Sequence, residues 1–552
     1  MADATRQRLT VFLLQDVDDF SDAIDDEARP NEVALTADVG LDGRFYWQAK
    51  NGGAPDWMAF IAPALSEPPT LRTASSSGLL VLRCDERFFA LTFGYGRGLM
   101  DQSKIVRQFG LKAVLNTIDP AQIRSLDTKT FEDMVVAKNT QASRSTTLST
   151  FEVDVVRDIL RAVTGEPRDD KLGKRVSGAD SVVLNIGTAV GGLNAVCRDL
   201  LAAYSAETYK KHFAWVDDLS IVVDAATIDE LDDLLLGQLK TRDTGNTHLA
   251  MPDVLDWGEV DAFKITGTRD TEYDDLDLDA YLDVVPRLGD LTLQTLKQRK
   301  VQVKFARSTN WDSRWSLYQC LVSEQRTTEG LFALIEGRWF KISDTLAGQV
   351  DQYAASLGHA SIELPAAFTA EKEADYNRRL AGVDPQNRLC LDAQLVTAQG
   401  ATSSLEVCDV LVNDGTLLHV KRKSRSSTLS HLFSQGVVSM TTMLLDGAFR
   451  DRVRELIKEQ AGNRAGWDGV VPSRYSVPDR ERFTVSYVVL ANSTRSGTDW
   501  LPFFSKLSLM QAVRSLQATH GVTVTIDRVD VVDPEDADTP DVIEDLGALV
   551  VD

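Results

Sequence analysis

The sequence has 552 residues and a formal net charge of −23, from 82 acidic and 59 basic side chains. This length exceeds a single hydrophobic core and predicts about three or four domains. The acidic balance excludes a protein that coats nucleic acid non-specifically, because coating requires many cations. No apolar run reaches the roughly 18–20 residues of a membrane-spanning helix. We therefore expect a cytoplasmic protein without membrane partners, whose five dispersed cysteines stay reduced.

The first segment, residues 1–165, predicts an N-terminal α+β domain. Two β-rich runs, 79–84 and 87–93, are separated by two residues and predict a hairpin. The run "FGLKAVLNTI" predicts a further strand, whereas "TFEVDVVRDILRAVTG" has the apolar spacing of a helix. The polar stretch "EPRDDKLGKRVSGAD" then predicts a linker.

The middle segment, residues 177–295, predicts a mainly helical domain. Its apolar residues recur at helical spacing in "GGLNAVCRDLLAAYSAETYKKHF" and "TIDELDDLLLGQLKT". Residues 300–342 return to strand-like runs, two of which predict a hairpin through "QRTTEG", and a helix is expected over 343–357.

The last segment, residues 300–532 with a core at 369–530, predicts a layered α/β domain. Strand-like runs alternate with helical ones from about residue 385 onward, and that alternation is typical of such a domain. Thr369 is expected to cap a helix whose first turn carries Glu371 and Glu373. Residues 533–552 predict an acidic, solvated tail.

The densest basic run of the chain lies in "DVLVNDGTLLHVKRKSRSSTLSHLFSQG", residues 409–436. A hairpin through the turn "NDGT" would bring Asp409 to the end of the strand that presents His419 and Lys421, which share a face at i and i+2. Glu373 could approach the same side. Carboxylates and a lysine in this arrangement predict metal-dependent phosphodiester cleavage by Asp409, Glu373, His419 and Lys421, with Mg²⁺ or Mn²⁺ held by the first three.

The residues after this strand predict contacts with phosphate. A helix start offers free backbone N–H groups, and cations nearby would grip a nucleic-acid backbone. His431 and Gln435 are four residues apart and fall on one face of that helix. The expected nucleic-acid contacts are Arg422, Lys423, Arg425, Ser426, Ser427, Thr428 and His431.

Two other interpretations of residues 409–436 stay open. An exposed basic turn between a strand and a helix would explain the charge alone. A module that binds DNA, RNA or a protein without cleaving would explain the charge and the helix start. Cleavage products that depend on a divalent metal would separate the enzyme from both alternatives.

The layout of acid, aspartate, x-lysine strand and glutamine-bearing helix resembles the PD-(D/E)XK nuclease superfamily. The resemblance implies a restriction-endonuclease-like fold in which Glu373 matches the helical acid, Asp409 the metal-binding aspartate, Lys421 the lysine and Gln435 the helix glutamine. His419 stands where that pattern has an acidic ligand. This departure implies either an altered metal site or an inactive one.

The whole chain is also similar to a sporadically distributed bacterial family of unknown function. The resemblance is carried by "LTFGYGRGLMD", "FGLKAVLN", "WVDDLSIV" and above all "LHVKRKSRSSTLSHLFSQG". The scattered distribution implies mobile-element or antiviral-defence contexts. Expected partners are nucleic acid, a second copy of the chain or a defence-system protein.

Overall fold

Helices and strands are distributed along the whole chain in the computed structural model. It describes residues 6–51, 74–131, 135–151, 158–252, 260–268, 271–305, 311–397, 404–423, 426–493 and 495–533, and singly 58, 64, 66, 69 and 70. The chain divides into two compact units, Met1–Thr130 with Val136–Asp217, and Phe131–Val135 with Asp218–Asp552. The expected linker and the described part of the acidic tail fall inside these units, and residues 534–552 lie outside the described residues.

The first unit is built on one ten-stranded sheet of order β2-β3-β4-β5-β1-β10-β9-β8-β6-β7. Its strands are β1 (Arg6–Leu13), β2 (Asn31–Ala34), β3 (Asp42–Asn51), β4 (Ala74–Cys84), β5 (Arg87–Gly94), β6 (Ile118–Phe131), β7 (Val135–Thr146), β8 (Asp158–Pro167), β9 (Val176–Gly178) and β10 (Val182–Gly187). Its helices are α1 (Phe109–Thr117), α2 (Leu193–Ser205) and α3 (Lys210–Phe213).

Helices α1 and α2 cover one face of this sheet. That face packs apolar residues of alternating strand positions, such as Leu9, Val11 and Leu184, against Val114 of α1 and Leu200 of α2. The expected hairpin is confirmed, since Cys84 pairs with Arg87 across its two-residue turn. The α+β character expected for this region is therefore present.

Three expectations for the first unit are wrong. Residues 109–117 form a helix rather than a strand, and 158–167 form a strand rather than the end of a helix. Residues 166–180 are not a free linker, because β9 lies within them and pairs with both β8 and β10. In each case pairing or packing with distant residues outweighs local preference.

The second unit opens with a region that contains both helices and strands. Its elements up to residue 355 form two sheets, β11-β19-β18-β17-β12 and β14-β13-β15-β16. The strands are β11 (Leu219–Ile221), β12 (Thr247–Leu249), β13 (Val260–Ile265), β14 (Glu272–Tyr273), β15 (Lys300–Phe305), β16 (Trp311–Ser316), β17 (Leu321–Thr327), β18 (Gly330–Ile335) and β19 (Arg338–Ile342). The helices are α4 (Ala225–Thr241), α5 (Leu278–Val284), α6 (Leu293–Gln298), α7 (Leu317–Cys320) and α8 (Asp344–Ala355).

The prediction of a mainly helical region over residues 177–295 omits the short strands that lie there between the helices. Short strands such as Thr247–Leu249 carry too few residues for a period to be read, and they form by pairing with distant partners. The hairpin through "QRTTEG" and the helix after residue 343 are confirmed.

The C-terminal part of the second unit is an α/β layer around a five-stranded sheet of order β21-β24-β25-β26-β27. Two strand pairs, β20-β28 and β22-β23, lie outside it. The strands are β20 (Ala367–Phe368), β21 (Arg388–Cys390), β22 (Leu395–Thr397), β23 (Ser404–Glu406), β24 (Val410–Val412), β25 (Thr416–Arg422), β26 (Thr484–Leu490), β27 (Thr523–Val529) and β28 (Val531–Val532). The helices are α9 (Glu373–Val383), α10 (Ser426–Leu445), α11 (Gly447–Ala461) and α12 (Phe503–Arg514).

The five-stranded sheet has antiparallel pairing on one side of β25 and parallel pairing on the other. Strands β21, β24 and β25 are antiparallel neighbours, whereas β25, β26 and β27 are parallel. Parallel neighbours need crossover connections, and α10 with α11 and then α12 supply them. The expected alternation of strands and helices is confirmed, although "LCLDAQLV" and "LEVCDVLV" each break into two short strands.

Helices cover both faces of this sheet. Helix α9 packs Tyr376 and Leu380 against Val420 and its neighbours on one face. Helix α10 packs Phe433 against Tyr487 on the other. A β-carbon at Gly436 would lie 2.5 Å from the Tyr487 hydroxyl, so only glycine allows α10 to approach β26 this closely.

Candidate carboxylate and lysine site

The β24–β25 hairpin places its candidate residues by its turn. Val410 pairs with Leu418 and Leu411 with Leu417, so Asp409 lies beside the middle of β25. Gly415 closes the turn with φ +102, where its N–H donates to the Val412 carbonyl. The expected hairpin is therefore present, with Asp409 near the strand that carries His419 and Lys421.

Asp409 is fixed by two hydrogen bonds. The backbone N–H of Val420 donates to Oδ2 at 2.8 Å, and the Asn377 side chain on α9 donates to Oδ1 at 3.2 Å. Asp409 is 8% exposed and Asn377 is fully buried. The carboxylate is thus held between the hairpin and the helix.

Glu373 and Lys421 form a partly buried ion pair. The Lys421 Nζ lies 3.0 Å from Glu373 Oε1, and the backbone N–H of Arg422 donates to the other carboxylate oxygen at 2.9 Å. Glu373 is the first residue of α9, whose N-cap is Lys372. The structure therefore brings Glu373 and Lys421 together at the end of β25. Thr369, expected to cap this helix, instead donates to the Val532 carbonyl and the Asp533 carboxylate.

Two further carboxylates, Asp392 and Glu406, complete a cluster with Asp409. One carboxylate oxygen from each of the three lies within 4.8 Å of the others. Asp392 lies in the turn after β21, and Glu406 ends β23. Among the described residues this is the only group of three or more possible ligands found at this spacing. Neither residue is among those that the sequence predicts for the site, although each acid follows or ends a short strand near Asp409.

Burial and mutual repulsion shift the ionisation of this cluster. Burial raises the pKa of Asp409 to about 8, and the negative charges of Glu406, Asp392 and Glu373 add to the rise, while the Val420 N–H opposes it. Burial also raises the pKa of Glu406, helped by Asp392 and Glu373. A bound cation would remove the repulsion that produces these shifts.

The donor set fits a hard divalent cation. Mg²⁺ prefers oxygen ligands at about 2.1 Å, which places adjacent ligands about 3.0 Å apart and opposite ones about 4.2 Å apart. The three oxygens already lie within 4.8 Å of each other, so small side-chain movements would suffice. Asp392, Glu406 and Asp409 are the residues that could hold such an ion.

The His419 side chain lies in a different environment from the carboxylate cluster. It is 3% exposed, and its Nε2 lies 3.4 Å from the Ser439 hydroxyl of α10. Its ring lies 6.1 Å from that of Tyr487. Burial lowers the pKa of His419 to about 4, so the ring is neutral at neutral pH. The structure does not bring His419 into the cluster of possible metal ligands.

The basic residues after β25 are mostly engaged with the fold. The Arg422 guanidinium donates to the carbonyls of Phe368 and Glu371, both at 2.8 Å. The Lys423 Nζ donates to the Trp500 carbonyl at 3.0 Å, and burial lowers its pKa. These two cations hold neighbouring segments together, which leaves little of either for phosphate.

The remaining candidates lie along the start of α10. His431 is exposed and Gln435 is half-buried. Helix α10 begins at Ser426, and nothing is described of the side chains of Ser426, Ser427 and Thr428. Arg425 lies outside the described residues.

Fold and site together define an α/β domain with a carboxylate cluster beside β25, the central strand of its sheet, and a lysine near the C-terminal end of that strand. A family model matches residues 9–530, and the chain belongs to this family, the Family of unknown function (DUF6119). This match confirms the resemblance to a family of unknown function. No curated protein and no solved structure matches the chain. None of the described helices is long and apolar enough to cross a membrane.

Proposed function

We propose that the C-terminal domain is a metal-dependent nuclease that cleaves phosphodiester bonds in DNA or RNA. The observation that carries the proposal is the convergence of Asp392, Glu406 and Asp409 beside the Glu373–Lys421 pair. Three carboxylates suit a hard metal ion, and a lysine suits the charge that develops on a phosphate.

The order of elements supports this proposal. A helix with an acid, an antiparallel hairpin with an aspartate and a lysine, a crossover helix and a parallel strand follow one another from α9 to β26. This order resembles that of the PD-(D/E)XK nucleases. In that pattern an acid precedes the lysine by two residues, and here Glu406 and Asp392 would supply the carboxylate that His419 lacks.

The roles of the residues follow from their positions. A divalent metal bound by the three carboxylates would activate water and polarise the phosphate. Lys421 would neutralise a phosphate oxygen, and Glu373 keeps the lysine near the C-terminal end of β25. The water oxygen would bond to phosphorus as one P–O ester bond breaks. The attacking water would lose a proton, and the leaving oxygen would gain one.

The test is cleavage of end-labelled DNA and RNA by the purified protein with Mg²⁺, Mn²⁺ or EDTA. We expect metal-dependent products that fall by at least about 100-fold in Asp409→Asn and Lys421→Ala, the order of loss when one charge-stabilising group is removed. Asp414→Asn is the matched control, since Asp414 lies in the turn at the other end of the same hairpin and accepts a bond from the Thr416 N–H.

Three results would count against the proposal. Equal cleavage by Asp409→Asn and by the unmodified protein would show that the carboxylate cluster is not the catalytic site. Salt-sensitive binding of nucleic acid without products would favour the binding module. Neither binding nor products would leave Arg422 and Lys423 with the structural role that their hydrogen bonds already give them.

A further inference from the structure

Two arginines of β1, Arg6 and Arg8, lie on the face of the first unit's sheet opposite to α1 and α2. Leu9 of β1 and Leu184 of β10 point into the core beneath α1 and α2. Side chains alternate along a strand, so Arg6 and Arg8 lie on the opposite face. Arg8 pairs in register with Asn185, and Arg6 with Gly187. All four of these residues are exposed.

Two cavities adjoin at Arg6. The first lies on the face that carries Arg8, and the second extends from the strand ends to Ala195, Val196 and Asp199 of α2. The first has a volume of about 590 Å³ and the second about 480 Å³. Both are lined by Arg6, Lys174 and Asn185, so the two cavities meet at these residues, and we call the pair the depression. Arg8 and Arg175 extend it on one side, and Lys171 extends it on the other.

The depression is basic in an acidic protein. Five cations line it, against the two carboxylates of Glu166 and Asp199. Glu166 is already held by Arg124 and by the Ser145 hydroxyl. In the part of the chain that the structure describes, no carboxylate forms an ion pair with any of the five cations. We call this surface the basic groove: Arg6, Arg8, Lys171, Lys174 and Arg175.

A group of like charges attracts ligands of the opposite charge, although the charge of Arg175 also helps to lower the pKa of Glu166. Uncharged donors line the groove as well, among them Ser177, Asn185 and Thr188, which can donate to phosphate oxygens. Among the described residues no aromatic side chain lines either cavity, so these residues offer no surface on which bases would stack. This chemistry suits phosphates rather than bases.

We propose that the basic groove binds the phosphodiester backbone of nucleic acid. Arg6 and Arg8 are two residues apart on one strand face, about 6.6 Å along the strand, which suits two successive phosphates. Five cations distributed over two adjoining cavities favour an extended polyanion over a single phosphate. The groove lies in the first unit, and the inference does not depend on the carboxylate site.

The test is the salt dependence of binding by the full-length protein in EDTA, which prevents metal-dependent cleavage. Each lost phosphate contact lowers the slope of log K against log salt by about 0.9 on duplex DNA. Arg6→Gln with Arg8→Gln should therefore lower it by about 1.8, which weakens binding by about 60-fold at 0.1 M salt. Lys174→Gln should lower the slope by about 0.9. Unchanged circular dichroism spectra would show that the variants fold.

Arg29→Gln is the matched control. Arg29 is exposed and precedes β2, the strand at the edge of the sheet four strands away from β1. It makes the same charge change as a groove variant and should leave the slope unchanged. An equal loss in Arg29→Gln would indicate general charge attraction and overturn the proposal.

Competition distinguishes the sources of phosphate. Duplex and single-stranded DNA and RNA should compete with increasing strength as their length increases, whereas inorganic phosphate and mononucleotides at millimolar concentration should not. Displacement by mononucleotide at micromolar concentration would mean a small phosphoanion site and overturn the proposal. So would an absence of polynucleotide binding. Binding in EDTA is measured separately from metal-dependent cleavage, so failure of the nuclease proposal leaves this result intact.

Discussion

The ionisation of Asp409 gives a prediction that can be tested before any substrate is known. Its carboxyl is 8% exposed and has a pKa raised to about 8, mainly by burial. In the unfolded chain its pKa returns to about 3.9. At a pH between these two pKa values, Asp409 keeps its proton in the folded protein and has lost it in the unfolded chain. Stability therefore falls as the pH rises, until the pH passes the folded pKa.

The size of the effect follows from the two pKa values. From pH 6 to pH 8 the folded carboxyl goes from almost fully protonated to half ionised, while the unfolded one stays ionised. Integration gives a loss of about 2 kcal/mol in the free energy of unfolding. The Asp409→Asn side chain has nearly the shape of the protonated acid and does not titrate. We expect this variant to gain about 2 kcal/mol relative to the unmodified protein over that range.

The assay is urea unfolding of both proteins in EDTA at pH 6, 7 and 8. Subtracting the free energies of unfolding of the two proteins removes the contribution of all other titrating groups. The unfolding transition to analyse is the one whose midpoint the substitution shifts. A difference that stays constant over this range would refute the assignment of a buried, neutral Asp409. A difference of the opposite sign would mean that the carboxylate is stabilised by a cation already present.

Four further predictions concern the same hairpin and its surroundings. Because protons compete with metal at Asp409, affinity for Mn²⁺ should rise by up to about 50-fold from pH 6 to pH 8, as measured by calorimetry, and a flat profile would contradict this. Glu373→Gln should reduce cleavage by releasing Lys421, yet change the free energy of unfolding by no more than about 1 kcal/mol, because the pair is partly exposed. His419→Phe should leave Mn²⁺ affinity within about twofold, since the ring contacts α10, and a large loss would make the histidine a ligand. Gly415→Ala should destabilise the domain by about 1–3 kcal/mol in urea unfolding, because φ is +102 and the new carbon would lie 2.6 Å from a backbone carbonyl; an effect below about 0.5 kcal/mol would contradict this.

The C-terminal layer could be predicted because its signals are local. The β24–β25 turn has the sequence "NDGT", with a glycine at the position of positive φ. The helix at 426–445 and the strand at 484–490 have clear lengths and compositions. A helix or strand can be predicted from a short stretch of sequence where its turn residues, the period of its apolar residues and its length all indicate the same structure.

Elements whose surroundings decide their structure could not be predicted in this way. Helix α1 buries nearly every residue from Phe109 to Asn116, so its apolar run has no polar face that would reveal a helical period. Strand β8 carries Ile159 and Val163, whose spacing fits a helix equally well. Its pairing with β6 and β9 determines the result.

The histidine at position 419 illustrates the same limit in the candidate site. Strand alternation gives His419 and Lys421 the same face, but their reach differs. The short ring lies mid-strand under α10, whereas the long lysine lies at the strand end and extends to Glu373. A pattern of spacing alone therefore assigns both to one site, although only the lysine reaches it.

The carboxylates that join Asp409 come from outside the motif. Glu406 is three residues before Asp409 and Asp392 is seventeen before it, and short strands β22 and β23 fold between them. Only this fold brings their oxygens within 4.8 Å. The region near Asp409 therefore stays negatively charged although β25 has no acid at position 419, because Asp392 and Glu406 lie beside Asp409. We therefore expect Asp392, Glu406 and Asp409 to bind a metal ion even though position 419 has a histidine and not an acid.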